Sequence, residues 1–282
     1  MKNKTLQLAT AAAEKIVKDE KLELPIDVFA LAEQNNIIVE PKPIEAKGVS
    51  GMLLRYGDDF TIVYATHIKN EGFQRFSIAH ELGHYFLPSH PDSVFRDSNI
   101  HESHAGFCSH NQIELEADHF AAGLLMPKSL FIKEAGKFQD GLIAIENLAK
   151  ICKTSLVASS IRYAGLTDAA VAIIISSGAF VEYSFVSQGM YEFVGYTHLK
   201  KGMKIPKNSL TYAFNQHSAN IKLVKRENSD TDLIHWFQTD HEISATEEVI
   251  GLGTYDKTLT IITANSIDAD DNDEWEDPKF RR

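Results

Sequence analysis

The sequence predicts a mixed α+β protein, with a helical first part built around a small sheet and a β-rich second part. Apolar residues recur at helical spacing over residues 5–20, 72–87 and 111–126. Short β-branched runs occur between Ile37 and Ala65, and such runs alternate with turn residues after Gly165. The composition, 44% hydrophobic and 24% charged, is typical of a folded globular chain and excludes a wholly disordered one.

The first 65 residues contain two predicted helices and three predicted strands. Their predicted bounds are 5–20 and Pro25–Asn36 for the helices, and Ile37–Val39, Gly48–Leu54 and Phe60–Ala65 for the strands. Pro25 favours a helix start, because its fixed φ suits the first helical turn. Tyr56-Gly57-Asp58-Asp59 is a turn signal, so the last two strands are predicted to form a hairpin.

Two longer predicted helices follow, separated by a segment without clear periodicity. The first covers 72–87 and ends at Pro88, and the second covers 111–126 and ends at Pro127. Residues 88–110 between them show no period typical of a helix or a strand. Two or three further helices are predicted between Pro127 and about Tyr163.

These patterns divide the chain into four predicted parts. They are a core over 1–127, a helical segment over 128–165, a β-rich domain over 166–267 and an acidic tail over 268–282. Strands are predicted in the third part at Val171–Ile175, Phe180–Phe185 and Thr258–Thr263. The tail reads as a solvated disordered segment, and the alternative is a docking segment anchored by Trp275 and Phe280.

Charge and cysteine content narrow the classes of partner and compartment. The net charge of −11 argues against broad contact with nucleic-acid phosphates. Residues 268–277 hold seven acidic residues and no basic one and so supply −7 of this charge, which leaves a small basic patch elsewhere open. The longest apolar run, Ala169–Ile175, is far shorter than the roughly 18 residues that span a bilayer, so no membrane partner is predicted. Two cysteines imply no disulfide framework, and a cytoplasmic location is predicted.

The pattern that predicts chemistry is His80-Glu81-Leu82-Gly83-His84. Two histidines four residues apart on a helix share one face, so both imidazoles can reach a single ion. Zn²⁺ binds such nitrogens and, in catalytic sites, keeps one position open for water. Glu81 lies beside the first histidine and is the candidate general base. Gly83 weakens a helix, which is tolerable where another segment must approach the backbone closely.

A third ligand is available in the predicted helix 111–126. Glu114 is the favoured ligand, and Asp118 one turn later is placed to orient one of the histidines through its second ring nitrogen. Glu116 is the competing ligand, but it lies about 200° around the helix from Glu114, so both cannot face one metal. Two histidines, one glutamate and a water form a known catalytic zinc set.

Seven of the 12 histidines lie between His80 and His119. His101-x-x-His104 and Cys108-x-His110 are further candidate metal ligands, and a polar loop around an active site explains them equally well. Cys152 lies in an apolar predicted helix and is interpreted as a core residue.

These residues resemble the ImmA/IrrE family of metallo-endopeptidases. The stretch FQRFSIAHELGHYFL resembles the active-site helix of that family, ELEADHFAAGLLMP its second zinc helix, and LPIDVFALAEQNNIIVE its lead-in. The resemblance implies a zincin-like metallopeptidase domain over 1–127, with a small sheet, an active-site helix and a glutamate helix. It implies that His80, His84 and Glu114 bind zinc, that Glu81 is the general base, and that the substrate is a helix-turn-helix repressor. Residues 88–110 and the C-terminal half depart from the family pattern.

The segment Glu146–Tyr163 has the pattern of a helix-turn-helix, with a Lys-Thr-Ser turn. We interpret it as a helical hairpin that supports the metal site, and direct DNA contact is the alternative. Arg162 and Tyr163 are candidates for a group that stabilises an oxyanion. In the C-terminal part, which could sense a ligand or hold a substrate, Trp236-Phe237 and Glu247-Glu248 are interpreted as core edge and surface.

The sequence therefore predicts a zinc-dependent endopeptidase acting on a protein partner. The alternatives are a DNA-binding regulator with a structural zinc, and a protein that sequesters a repressor without cutting it. Hydrolysis of a bond other than a peptide is a further alternative, because the histidine pair specifies an activated water and not the bond it attacks.

Overall fold

A computed structural model of the chain describes residues 2–42, 48–103, 111–194, 199–237, 239 and 241–264. The chain divides into two compact units, one formed by residues up to Asp168 with Phe185–Ser187, the other by Ala169–Ser184 and residues from Gln188 onward. Both units contain helices and strands, so the α+β prediction is confirmed. Among the described residues, no helix combines the length and the apolar character needed to cross a bilayer.

The first unit contains eight helices and four strands among its described residues. The helices are α1 (Lys2–Asp19), α2 (Val28–Gln34), α3 (Glu71–Phe86), α4 (His90–Val94), α5 (Gln112–Leu125), α6 (Lys128–Ala135), α7 (Leu142–Cys152) and α8 (Leu156–Leu166). The strands are β1 (Ile37–Lys42), β2 (Gly51–Tyr56), β3 (Asp59–Ala65) and β4 (Ile100–Ser103).

The four strands form one sheet in the order β1-β3-β2-β4. The predicted hairpin is confirmed, because β2 and β3 pair antiparallel across the Tyr56–Asp59 turn. Strand β1 pairs parallel with β3, and β4 pairs antiparallel with β2. Leu53 and Ile62, on these central strands, are fully buried, and α3 packs against β2 and β3. The sheet therefore provides the surface on which α3 lies.

Helix α5 packs against both α1 and α3. Two glycines permit this close packing. A Cβ at Gly83 of α3 would lie 3.2 Å from Ala117 Cα, and a Cβ at Gly123 of α5 would lie 2.9 Å from the Thr10 carbonyl oxygen. A glycine within the His80–His84 pattern, Gly83, is therefore tolerable because the backbone of α5 approaches α3 closely at this position.

Helices α7 and α8 form a hairpin, and Lys153 at the turn adopts a positive φ. This turn packs against the first turn of α3, since a Cβ at Gly72 would lie 3.2 Å from the Ser155 backbone nitrogen. Lys153 Nζ is also 2.8 Å from the Glu71 carboxylate. The hairpin thereby supports the start of the helix that carries His80 and His84.

The second unit has a five-stranded sheet in the order β6-β5-β9-β8-β7. Its strands are β5 (Val171–Ser177), β6 (Phe180–Val186), β7 (Arg226–Asp232), β8 (Ser244–Gly251) and β9 (Thr258–Ala264). Its α-helices among the described residues are short, namely α9 (Gln188–Val194), α10 (Leu210–Asn215), α11 (Ser218–Lys222) and α12 (Leu233–Trp236). The central strands β5 and β9 are almost wholly buried, which explains their continuous β-branched sequence.

The structure corrects two of the sequence expectations, on the start of α2 and on Glu247, and adds two short elements to the segment 88–110. Helix α2 begins at Val28 and not at Pro25, because the Asp27 carboxylate caps the backbone nitrogens of Phe29 and Ala30. The segment predicted to lack periodicity contains α4 and β4, which are too short to show a period. Glu247 is fully buried rather than at the surface. The acidic tail lies outside the described residues.

Candidate metal centre

Helix α3 positions His80, Glu81 and His84 in the interior of the first unit. Asn70 caps the helix by accepting from the Phe73 backbone nitrogen, and the residues from Ser77 to His84 are all buried. His80 and His84 lie one turn apart, and their Nε2 atoms are 3.0 Å from each other. The helix therefore directs two ring nitrogens at the same point.

Helix α5 supplies the carboxylates. Glu114 Oε2 lies 3.2 Å from His80 Nε2, and Glu114 Oε1 lies 3.6 Å from His84 Nε2. Asp118, one turn later, accepts a hydrogen bond of 2.8 Å from His80 Nδ1. One carboxylate thus faces the two Nε2 atoms, and the other holds the outer nitrogen of His80.

Glu116 lies on a different side of the cluster. Its Oε2 is 3.1 Å from His90 Nε2, and its Oε1 accepts from the Gln112 side-chain amide at 2.9 Å. The groups of possible metal ligands among the described residues include Glu114 but not Glu116. The two glutamates are separated as their 200° offset around the helix predicts.

The ionisation of the cluster follows from its burial and its internal contacts. Burial lowers the pKa of His84 to about 3, and it raises the pKa of Glu81 above its usual value. Burial also opposes a charge on His80, but hydrogen bonds to Asp118 and Glu114 outweigh it and raise the pKa of His80 to about 10. Although burial alone would raise the pKa of Glu114, its contacts with His101, His80 and His84 hold it well below the usual range. The metal-free cluster therefore attracts a positive charge, which a proton on His80 supplies.

Glu81 is fully buried, and neither of its carboxylate oxygens makes a hydrogen bond of good geometry with a described residue, although the Ser103 hydroxyl lies near enough to oppose part of the rise in its pKa. Strand β2 passes beside it, and a Cβ at Gly51 would lie only 2.5 Å from Glu81 Oε1. A buried carboxylate without donors is costly. Such a carboxylate is expected where it accepts a proton from a reacting molecule rather than hydrogen bonds from the fold.

His101 and Ser103, on β4, complete the walls of the cluster. His101 Nε2 lies 3.2 Å from Glu114 Oε1, and the His101 and His84 rings are 4.4 Å apart. Neither His101 Nε2 nor Ser103 Oγ makes a hydrogen bond within the described part of the chain. His101, His84 and Glu81 form a second group of atoms close enough to share an ion. The sequence offered His101 only as one of several candidate ligands, and it gave no sign of Ser103.

The residues present fit a metal ion. Two ligands at about 2.0–2.1 Å from a tetrahedral zinc lie roughly 3.3 Å apart. The measured separations among His80 Nε2, His84 Nε2 and the Glu114 oxygens are 3.0, 3.2 and 3.6 Å, which bracket that value. Two imidazole nitrogens 3.0 Å apart repel unless a cation or a proton lies between them, so the donor set itself calls for a positive charge.

The other residues considered from the sequence lie apart from this cluster or outside the described residues. Tyr163 donates a hydrogen bond to Asp140, and Arg162 binds the Glu14 carboxylate and the Met126 carbonyl oxygen. Neither is directed at Glu81, so neither is an oxyanion donor in this structure. Cys152 is buried as predicted, and burial raises the pKa of its thiol to about 12. His104, Cys108 and His110 fall outside the described residues.

Comparison with known proteins identifies a matching family model and solved structures with a similar fold. The family model of the IrrE N-terminal-like domain, Peptidase_M78, matches residues 32–162, a range that includes His80, Glu81, His84 and Glu114. A solved structure described as a Mycobacterium tuberculosis transcriptional regulator has a similar fold, with a TM-score of 0.54 and 13% sequence identity, over 91% of this chain and 76% of that one. No curated protein sequence matches the chain significantly.

Proposed function

We propose that the protein is a zinc-dependent endopeptidase of the ImmA/IrrE family and that its substrate is a helix-turn-helix transcriptional repressor. The match of residues 32–162 to the family model supports this proposal. Cleavage would relieve repression, in a stress response, a mobile element or a toxin–antitoxin-like pair. The alternative is a regulator that binds DNA or sequesters a repressor, with a structural zinc and no proteolysis.

One observation carries the proposal. A fully buried glutamate, Glu81, has no hydrogen-bond partner among the described residues and lies beside two histidines and a carboxylate that converge on one point. A structural zinc site is closed by four protein ligands and has no use for an adjacent free carboxylate. A hydrolytic site needs such a carboxylate to accept a proton.

In this proposal His80, His84 and Glu114 hold the zinc, and the domain has a zincin-like arrangement. Helix α3 is then the active-site helix, α5 the glutamate helix, and the β1–β4 sheet the support for α3. Zinc in such a site supplies Lewis acidity, which makes a water nucleophilic near neutral pH and polarises a carbonyl group. Asp118 keeps the His80 Nδ1 proton in place, so that His80 Nε2 presents a lone pair.

Glu81 is the proton carrier. It accepts a proton from the attacking water and later delivers that proton to the leaving amine, so no proton is gained or lost overall. Burial raises the pKa of Glu81 above its usual value, which makes the carboxylate a stronger base toward the attacking water. Gly51 leaves the space that the carboxylate needs beside β2.

A regulatory substrate is supported by family membership and by the description of the structural neighbour as a transcriptional regulator. Direct DNA binding by α7 and α8 receives less support. Two cations of this hairpin, Lys153 and Arg162, already pair with the carboxylates of Glu71 and Glu14, and its turn packs against α3. A turn packed against another helix and paired cations leave less positive charge for phosphate contacts.

The test compares new protein N-termini in cells that express the wild-type chain, Glu81→Gln or Glu102→Gln. Glu102 is an exposed glutamate on β4, so its variant is a control for the same chemical change outside the cluster. We expect a new N-terminus within a helix-turn-helix protein for the wild type and Glu102→Gln, and none for Glu81→Gln. Zinc content is measured on the purified proteins and should be one ion per chain for all three.

Each alternative predicts a different result. A DNA-binding or sequestering regulator gives no new N-terminus for any of the three proteins, and it leaves the partner intact in a complex. Cleavage that persists in zinc-loaded Glu81→Gln would remove the proton-carrier assignment. A wild-type chain that binds no zinc would remove the whole proposal.

A further inference from the structure

His84 has an outer partner, and that partner is another histidine. His84 Nδ1 lies 3.2 Å from Nδ1 of His90, and both side chains are buried. The short helix α4 begins at His90, directly after Ser89, which adopts a positive φ. A non-glycine residue adopts that conformation only at an energetic cost. The chain thus turns sharply after α3 and returns His90 onto its own metal-site helix.

The second nitrogen of His90 faces a carboxylate that is itself held in place. His90 Nε2 is 3.1 Å from Glu116 Oε2. The Gln112 amide donates to Glu116 Oε1 at 2.9 Å and to Thr5 Oγ1 at 2.8 Å. A chain of contacts therefore runs from α1 and α5 through Glu116 and His90 to His84.

The donor and the acceptor of each contact in this series can be assigned in order, starting from Glu116. A carboxylate only accepts, so His90 Nε2 carries the proton of its contact with Glu116. A neutral imidazole with a proton on Nε2 has a lone pair on Nδ1, so His90 Nδ1 accepts from His84 Nδ1–H. His84 then has its lone pair on Nε2, the atom 3.0 Å from His80 Nε2. The contact thereby selects the ring form of His84 that binds a metal through Nε2.

We propose that His90, backed by Glu116, is a positioning residue that fixes the tautomer and ring orientation of His84 for zinc binding. This inference rests on the proposed function, because it assigns His84 as a zinc ligand. It gives Glu116 a role that differs from direct ligation. Both histidines of α3 then have a carboxylate behind their Nδ1 atom. Asp118 accepts directly from His80 Nδ1, whereas Glu116 contacts His84 only through the imidazole of His90.

The test measures zinc affinity by competition with a chromophoric chelator, without any substrate. In His90→Leu the acceptor is lost, and we expect zinc affinity to fall about 10- to 100-fold, the range typical of lost outer partners of metal ligands. In His90→Asn the amide oxygen can occupy the position of Nδ1, and we expect most of the affinity to return. His67→Leu, which changes an exposed histidine of the same unit, should bind zinc as the wild type does.

A second measurement separates positioning from folding. The visible spectrum of the Co²⁺-substituted protein reports ligand geometry, and we expect it to change in His90→Leu and to return in His90→Asn. The thermal midpoint of the metal-free variants shows how much of any effect is a loss of packing. Equal zinc affinity in His90→Leu and the wild type, or an affinity in His90→Asn as low as in His90→Leu, overturns the proposal. A wild-type chain without zinc overturns the proposed function as well.

Discussion

Two glutamates of this protein, Glu81 in the first unit and Glu247 in the second, have 0% of their surface exposed. Glu247 accepts four hydrogen bonds, from Leu210 N, Thr211 N, Thr211 Oγ1 and Trp236 Nε1. Glu81 accepts none from any described residue. Burial shields both carboxylates from water to a similar degree, but only Glu247 receives hydrogen bonds from protein donors.

This difference distinguishes a carboxylate that stabilises the fold from one that is available for chemistry. A carboxylate with a full set of donors is stabilised where it lies, and it links the β8 strand to α10 and to Trp236 of α12. A carboxylate without donors weakens the fold, so a protein retains it for another reason. The surroundings of Glu81 supply that reason, since a cluster of possible metal ligands lies beside it. The four predictions below test this distinction, from the largest expected effect to the smallest.

Glu81→Gln should abolish most of the proposed peptidase activity and leave the fold intact. An amide cannot carry the proton between water and leaving group, and general acid–base catalysis contributes about 10²- to 10⁴-fold. We expect the turnover number to fall by that factor in protein with one zinc per chain. The free energy of unfolding of the metal-free protein should not decrease, because Glu81 has no hydrogen bond to lose. A large loss of stability would make Glu81 a second structural carboxylate.

Glu247→Gln should have the opposite effects. The amide replaces one carboxylate oxygen with an NH2 group, which then faces either Thr211 N or Trp236 Nε1. Each of these is itself a donor, so buried groups lose partners in either orientation. We expect the free energy of unfolding to fall by about 1–3 kcal/mol, measured by urea denaturation. Activity per folded, zinc-loaded chain should match the wild type. Unchanged stability would show that the four hydrogen bonds contribute little.

Gly51→Ala should disturb Glu81 without changing it. The added Cβ would lie 2.5 Å from Glu81 Oε1, so the buried carboxylate must move. Misplacing a catalytic group by about 1 Å costs up to 10²-fold in rate, and we expect the turnover number to fall 10- to 100-fold with zinc affinity retained. Wild-type activity in this variant would mean that the position of Glu81 beside β2 is unimportant.

The same contrast explains how far the sequence predicted the molecule. The relation between His80 and His84 is local, because helical geometry alone puts residues four apart on one face. The relation of Glu114 to Asp118 within α5 is local in the same way. The long helices and the hairpin were predicted for this reason, since each is set by a period or a turn within one stretch of sequence.

The unpredicted features depend on distant parts of the chain. His90 and His101 reach the cluster on α4 and β4, which have five and four residues and therefore show no period. The donors to Glu247 come from α10 and α12, which are distant in sequence. The local sequence Glu247-Glu248 therefore resembles an ordinary surface pair. Strand β7 consists of polar residues, and all of its side chains are exposed or half-buried. Its sequence pattern therefore resembles that of a loop.

Gly165→Ala should have the smallest effect and provides the control for Gly51→Ala. Gly165 lies in α8, its φ is not in the left-handed region, and nothing lies within 4 Å of the position of an added Cβ. Alanine is favoured over glycine within a helix, so we expect the free energy of unfolding to rise by about 0.5–1 kcal/mol in urea denaturation, with zinc affinity and turnover unchanged. If Gly165→Ala instead impaired turnover as much as Gly51→Ala, added bulk in general rather than contact with Glu81 would explain both variants. A lower turnover number in Gly51→Ala together with an unchanged turnover number in Gly165→Ala would tie the loss of activity to the Glu81 carboxylate that the added Cβ contacts.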